Sequence, residues 1–369
     1  MALTQEREIT VNMGPQHPST HGVLRMVVKL DGETVVQAKP DIGYLHRCFE
    51  KLSEQKTYTQ VITFTDRTDY LSAMTNEWAF VLGIEKLLGI EVPERAEYMR
   101  VIVAELQRIA SHLIWFGTFS LDLGAATPFI YAFRERERIY DLFESISGGR
   151  LLYNYFRIGG LRNDFPPGWK EKVLEFLDFL DKKALPEYHK LFTGNRIVEV
   201  RTQGVGVLKP ETAIAYGASG PVLRGSGVDW DLRRDMPYGY YHKFDWQVVT
   251  EQGGDVFSRY MVRMREIEQS SRIVRQALQA LPDGDYLGKV PKVLKPPKDA
   301  EIYVRHEGSR GEVGVYLISD GTPSPYRCHW RSPAFVHLQL VEPMAIGWKI
   351  ADLVAILGSI DIVLGEVDR

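Results

Sequence analysis

"PERAEYMRVIVAELQRIASHLIWF" (Pro93–Phe116) carries the clearest helical period in the chain. Met99, Ile102, Leu106, Ile109, Leu113 and Phe116 recur at steps of three and four, while Glu94, Arg95, Glu97, Arg100, Glu105 and Arg108 take other faces. That spacing lays the apolar side chains in one stripe along a helix. Pro93 suits a first-turn position, and Gly117 suits a stop.

The helical period extends outward from there. A second long helix is predicted over 255–281, with Met264, Ile267, Val274, Leu278 and Leu281 inward, and shorter ones over 73–88, 128–147 and 169–183. Both ends read differently. "REITVNM" (7–13), "VLRMVVKL" (23–30) and "TVVQAKP" (34–40) alternate like strands, with "DGE" as a turn and the loop "GPQHPSTHG" (14–22) at one end. "EVGVYLISDG" (312–321) and "YRCHWRS" (326–332) read as a second β element before a last helix. "IADLVAILGSIDIVLG" (350–365) carries Asp352 and Asp361 and is short for a bilayer, so a buried helix and turn is expected. The prediction is one α+β domain over 1–369. It has an N-terminal β region (1–52), a mainly helical core (53–281), an exposed Pro/Gly/Lys-rich loop (282–300) and a C-terminal β/α region (301–369).

Composition narrows the function. Of 369 residues, 44% are hydrophobic and 25% charged, with a formal net charge of −3, so no field suited to nucleic acid is present. Two cysteines, Cys48 and Cys328, are too few for a disulfide scaffold, a four-thiolate metal site or an iron–sulfur cluster held by this chain alone. A reducing compartment is expected. "MALTQEREITV" (1–11) has neither a signal-peptide core nor an Arg/Ser-rich transit pattern.

Several residues could carry chemistry. His17 and His21 are the tightest histidine pair, but Pro15, Pro18 and two glycines place them on a turn, and no HExxH or CxxC accompanies them. A capping or structural role outweighs a metal site. "TDRTDYLSAM" (65–74) sets Asp69 and Tyr70 just before a helix, where Asp is ordinarily a cap and Tyr70 is a candidate proton donor. Asp122 lies among apolar and small residues; if buried, it requires a partner, and a histidine would serve. "FRERERIYD" (133–141) reads as a charge run of solvated i,i+3 and i,i+4 pairs, and "GVGV" (204–207) lacks the glycines of a phosphate loop.

Taken in order, "MGPQHPSTHGVLR", "GYLHRCFEK", "RTDYLSAM", "ELQRIASHLIWFG", "LDLGAATPF", "FRERERIYDLFE", "NYFRIGG", "GDVFSRYMVRMREI", "GSRGEVGVYLISDG" and "GEVDR" resemble the D-subunit family of respiratory complex I (NADH-quinone oxidoreductase), across 11–369. The family is the 49-kDa-type, quinone-site subunit related to nickel–iron hydrogenase large subunits. The resemblance implies that His21 and Tyr70 bind and protonate a quinone, with Asp122 paired to His21. It implies Arg47 near the terminal iron–sulfur cluster of an adjacent subunit, and Val363 and Leu364 as pocket walls. Expected partners are the other complex I subunits, namely the cluster-bearing B-type, the C-type, the membrane H-type and the I-type. The chain is expected to be peripheral on the cytoplasmic face of a bacterial membrane. No cofactor of its own is implied, quinone being the substrate.

Hydrogenases hold their metals with two CxxC pairs; the matching stretches here read "RTDYLS" (67–72) and "DIVLGE" (361–366), without cysteine. A hydrogenase-like metal subunit and a purely structural core subunit are the alternatives. Two positions depart from the family pattern. Cys48 stands where relatives carry Gly, and Leu152 where many carry a histidine near the cluster, which argues against a pH-dependent cluster potential.

Overall fold

The computed structural model describes residues 8–369, so Met1–Arg7, including the expected start of the first strand, lies outside the described residues. Strands Glu8–Met13, Arg25–Asp31 and Thr34–Asp41 form an antiparallel sheet in sequence order. Met26, Val28 and Leu30 alternate inward along the middle strand, which fixes its register against Ala38 and Val11.

The central helix runs Glu94–Asp122, six residues beyond the predicted end at Phe116. Gly117 does not stop it. A Cβ there would meet Phe129 Cδ2 at 3.2 Å and Ala132 Cβ at 3.5 Å, so this glycine lets the helix Ala126–Ser147 approach closely. The second long helix, Val256–Gln279, is capped by Asp255, which accepts from Ser258 N, and it packs along the central helix. The helix Ala73–Leu88 has its predicted bounds, while the one predicted over 169–183 is α-helical over Trp169–Phe179 and continues as a π-turn over Leu180–Ala184.

The central helix also has charged residues sealed inside. Arg100 pairs with Glu85 at 2.6 Å, and Glu105 holds both Arg108 and Arg233. His112 Nε2 lies 2.8 Å from Glu266, which also takes Arg224. Buried charges persist only when paired in this way. The 133–141 run is a solvated helix face only in part, with Arg134, Glu137, Arg138 and Asp141 exposed. Glu135 and Arg136 are buried, Arg134 reaches Glu187, and Arg136 lies 4.0 Å from the Tyr140 ring centroid.

The C-terminal sheet has three strands rather than two, Glu301–Glu307, Glu312–Ser319 and Pro325–Arg331. The single last helix becomes four short ones, Pro333–Leu338, Val341–Ala345, Ile350–Ser359 and Leu364–Asp368. The 282–300 stretch has no regular element and is largely exposed, but Leu287 bridges to Gly160 and Leu294 is buried. Among the described residues no helix is long and apolar enough to cross a membrane.

Candidate functional site

The loop between the first two strands is shaped by its own side chains. His17 caps a short 3-10 turn over Pro18–Thr20, its Nδ1 accepting from Ser19 N at 3.2 Å. The buried Thr20 hydroxyl sits 2.7 Å from His17 O and 2.9 Å from Gly22 O. These bonds end the turn at His21, which adopts the left-handed conformation (φ 54°). His21 Nε2 then lies 2.5 Å from Asp122 Oδ2, at the last residue of the central helix. The two histidines therefore do different things, one local and one long-range. Gly358 allows the contact, since a Cβ there would stand 2.9 Å from Asp122 Oδ2.

Next to this pair opens a cavity of about 1260 Å³, whose walls include His21, Tyr70, Asp122, Trp115, Ile362 and Val363. Tyr70 sits half-buried in the turn before the helix Ala73–Leu88. Burial and the neighbouring Asp69 carboxylate raise the phenol above its ordinary pKa, against the opposing pull of Arg310 and Arg47. It therefore keeps its proton at neutral pH and can donate it only to an acceptor that gains negative charge.

Behind Tyr70 lies a buried charge cluster. Asp69 is not the exposed cap expected from sequence: its Oδ1 accepts from Leu71 N and Ser72 N, and its Oδ2 from Arg310 at 2.6 Å. Arg310 comes from the tight turn between the first two strands of the C-terminal sheet and also reaches Asp361 at 3.3 Å. Arg263 lies 3.8 Å from Asp361 and 4.4 Å from the Trp115 ring centroid.

Arg47 faces elsewhere. It is exposed and donates to Arg67 O at 3.0 Å in a smaller cleft shared with Phe64, Gly365 and Arg369. The last residues hold its loop, with Asp368 accepting from Gly43 N at 2.9 Å and Leu45 N at 2.7 Å. Cys48 begins the next helix at φ 55°, a conformation natural to the Gly expected there.

His21, Tyr70, Asp122 and Val363 thus share one cavity, while Leu364 stands a layer back, its side chain against Gly22. Asp361, Ile362 and Trp115 also line it, without having stood out in the sequence as site residues. Asp361 and Ile362 fall within the "DIVLGE" stretch, whose resemblance to a former metal-binding segment is the signal that could have found them.

Among the described residues no group of three or more His, Cys, Asp or Glu side chains is set to hold a metal. The donors in 67–72 and 361–366 are oxygens, and Asp69 and Asp361 are committed to Arg310. Such a set does not suit a soft metal that asks for thiolates.

Residues 122–369 match the family described as "Respiratory-chain NADH dehydrogenase, 49 Kd subunit". The chain is 57% identical to the second NADH-quinone oxidoreductase D subunit of Symbiobacterium thermophilum, over the full length of both. It is 55% identical to the NADH-quinone oxidoreductase D subunit of Dehalococcoides mccartyi, again over the full length of both. The corresponding D subunit of Geobacillus thermodenitrificans is 53% identical, over 99% of this chain and all of that one. Fold, site and relatives define a chain that works as one subunit of an oxidoreductase complex, with the other subunits as its partners. It belongs to the 49-kDa, or D-subunit, family of respiratory complex I.

Proposed function

We propose that this chain forms the quinone-reducing pocket of a complex I-type oxidoreductase, next to an iron–sulfur cluster carried by a partner subunit. One observation carries the reading: His21, Tyr70 and Asp122, from three distant parts of the chain, line a single large cavity with apolar walls. Such a cavity accommodates a flat, mostly apolar head group with two polar oxygens.

Reduction of a quinone to a quinol takes two electrons and two protons. The electrons come from the partner's cluster, with Arg47 on the face turned to that partner. The protons come from His21 to one carbonyl oxygen and from Tyr70 to the other. Asp122 holds the His21 ring in place. Movement of the 14–22 loop, with Asp122, passes the state of the pocket to membrane subunits that pump protons. The expected neighbours are the B-, C-, H- and I-type subunits, on the cytoplasmic face of the membrane.

The test is photolabelling of the purified complex with an azido-quinone during turnover. Labels on the 14–22 loop or on Tyr70, lost with excess quinone, support the proposal. Labels confined to other subunits contradict it.

A further inference from the structure

We infer that Arg136 anchors a docking surface for the cluster-bearing partner subunit, its guanidinium taking a carboxylate from that subunit. The choice of partner rests on the quinone pocket proposed above. Arg100, Arg108, Arg224, Arg233 and Arg310 are buried, and each meets a carboxylate of this chain. Arg259 and Arg263 are buried too and donate to backbone carbonyls. Arg136 is 6% exposed, and its Nε is sealed from solvent with no acceptor among the described residues.

The groups that favour its charge, Tyr153 and Glu137, are committed elsewhere. The Tyr153 hydroxyl donates to Arg150 O at 3.1 Å, and Glu137 is exposed and bonded to Arg150 at 2.5 Å. Arg150 also holds Asp141 and Glu144, so the acids of this helix face answer Arg150 rather than Arg136. Burial accordingly pulls the Arg136 guanidinium down to about 10, whereas Arg224 and Arg310, buried with carboxylates, are raised.

Arg136 belongs to a stripe along the helix Ala126–Ser147, formed with Phe129, Phe133 and Tyr140 at steps of four, three and four. The Phe129 and Phe133 ring centroids are 4.5 Å apart. The guanidinium carbon lies 5.4 Å from the Phe133 centroid and 4.0 Å from that of Tyr140. Ring faces attract a cation but do not accept its in-plane N–H bonds. The two oxygens of a carboxylate do, in a bidentate fork. A buried cation without a counter-charge is costly, and an incoming carboxylate relieves that cost. Arginine among aromatic rings is also the usual composition of an interface centre.

The stripe adjoins the proposed quinone pocket. Ile114, Thr118 and Leu121 of the central helix line the cavity, and Phe129 packs against Gly117 between them. At the other end, the exposed Leu151 and half-buried Leu152 lead into Tyr153 and extend the apolar rim. An electron donor has to sit close to the quinone, so the cluster-bearing subunit is the partner placed to cover this ground.

The test treats the assembled Arg136→Lys complex with a water-soluble carbodiimide, which joins an amine to a carboxylate in contact with it and leaves a guanidinium uncoupled. Mass spectrometry should find an amide between position 136 and an aspartate or glutamate of the cluster-bearing subunit. A link to this chain alone or to a different subunit overturns the inference, as does no link while other lysines couple. Arg136→Met gives a second reading, since it keeps an apolar stem on Tyr140 and removes the charge. The cluster-bearing subunit should then leave the purified complex at least about tenfold faster, while the isolated full chain melts no lower than wild type. An unchanged release rate overturns the inference, and so does a destabilised isolated chain, which makes the role structural. Normal quinone turnover in Tyr70→Phe, with the 136 link formed, removes the quinone role and supports the docking contact.

Discussion

His21 and Asp122, 101 residues apart in sequence, meet with 2.5 Å between Nε2 and Oδ2. The contact joins a loop of the N-terminal sheet to the end of the central helix, and both side chains are largely buried. A short bond between ring and carboxylate of this kind fixes the ring's orientation.

Asp122→Asn keeps the shape and removes the charge. Quinone reduction by the assembled complex is expected to fall about a hundredfold, the lower end of what a positioned proton donor supplies. Steady-state kinetics on a complex of normal subunit composition checks this, and an unchanged kcat would disconnect Asp122 from the chemistry.

The buried Glu366 makes stability depend on pH. Its carboxyl titrates near 4.5 in the unfolded chain and at about 8 in the fold. Between those values the folded state holds a proton that the unfolded state has lost. The stabilisation is full below the lower value and declines as pH rises to the upper one. Thermal melts should therefore show the wild-type midpoint dropping across this window, with a shallower drop in Glu366→Gln.

Cys48 occupies a left-handed backbone position at φ 55° and is exposed. A side chain there costs about 1 kcal/mol relative to glycine. Cys48→Gly should raise stability by about that amount in denaturant titrations, and leave quinone reduction unchanged.

Much of the fold could be read from local pattern. The 73–88 helix, the three N-terminal strands and the turn after Ser359 follow from periodicity and turn residues. Gly117 misled because a glycine that stops a helix and one that admits a neighbouring helix look alike in sequence; Phe129 decides which it is. Asp69 misled for a related reason. It does bond to nearby backbone amides, as a cap would, but its buried partner Arg310 lies 241 residues away. In the first strand of the C-terminal sheet, Glu301–Glu307, the aromatic Tyr303 between Ile302 and Val304 hides the inward alternation. Within the site, His21, Tyr70 and Asp122 were legible through family resemblance and through the need of Asp122 for a partner. Trp115 and Asp361 were not, because their places in the cavity wall depend on residues drawn from separate parts of the chain.

The most direct measurement is quinone reduction by the assembled Tyr70→Phe complex, with reduction of the upstream iron–sulfur clusters followed in the same sample. The substitution keeps the ring against Gly365 and removes only the proton-bearing oxygen. Clusters should be reduced at the normal rate and quinone turnover lowered roughly a hundredfold or more. Near-normal turnover with normal cluster reduction would contradict the role of Tyr70 as a proton donor.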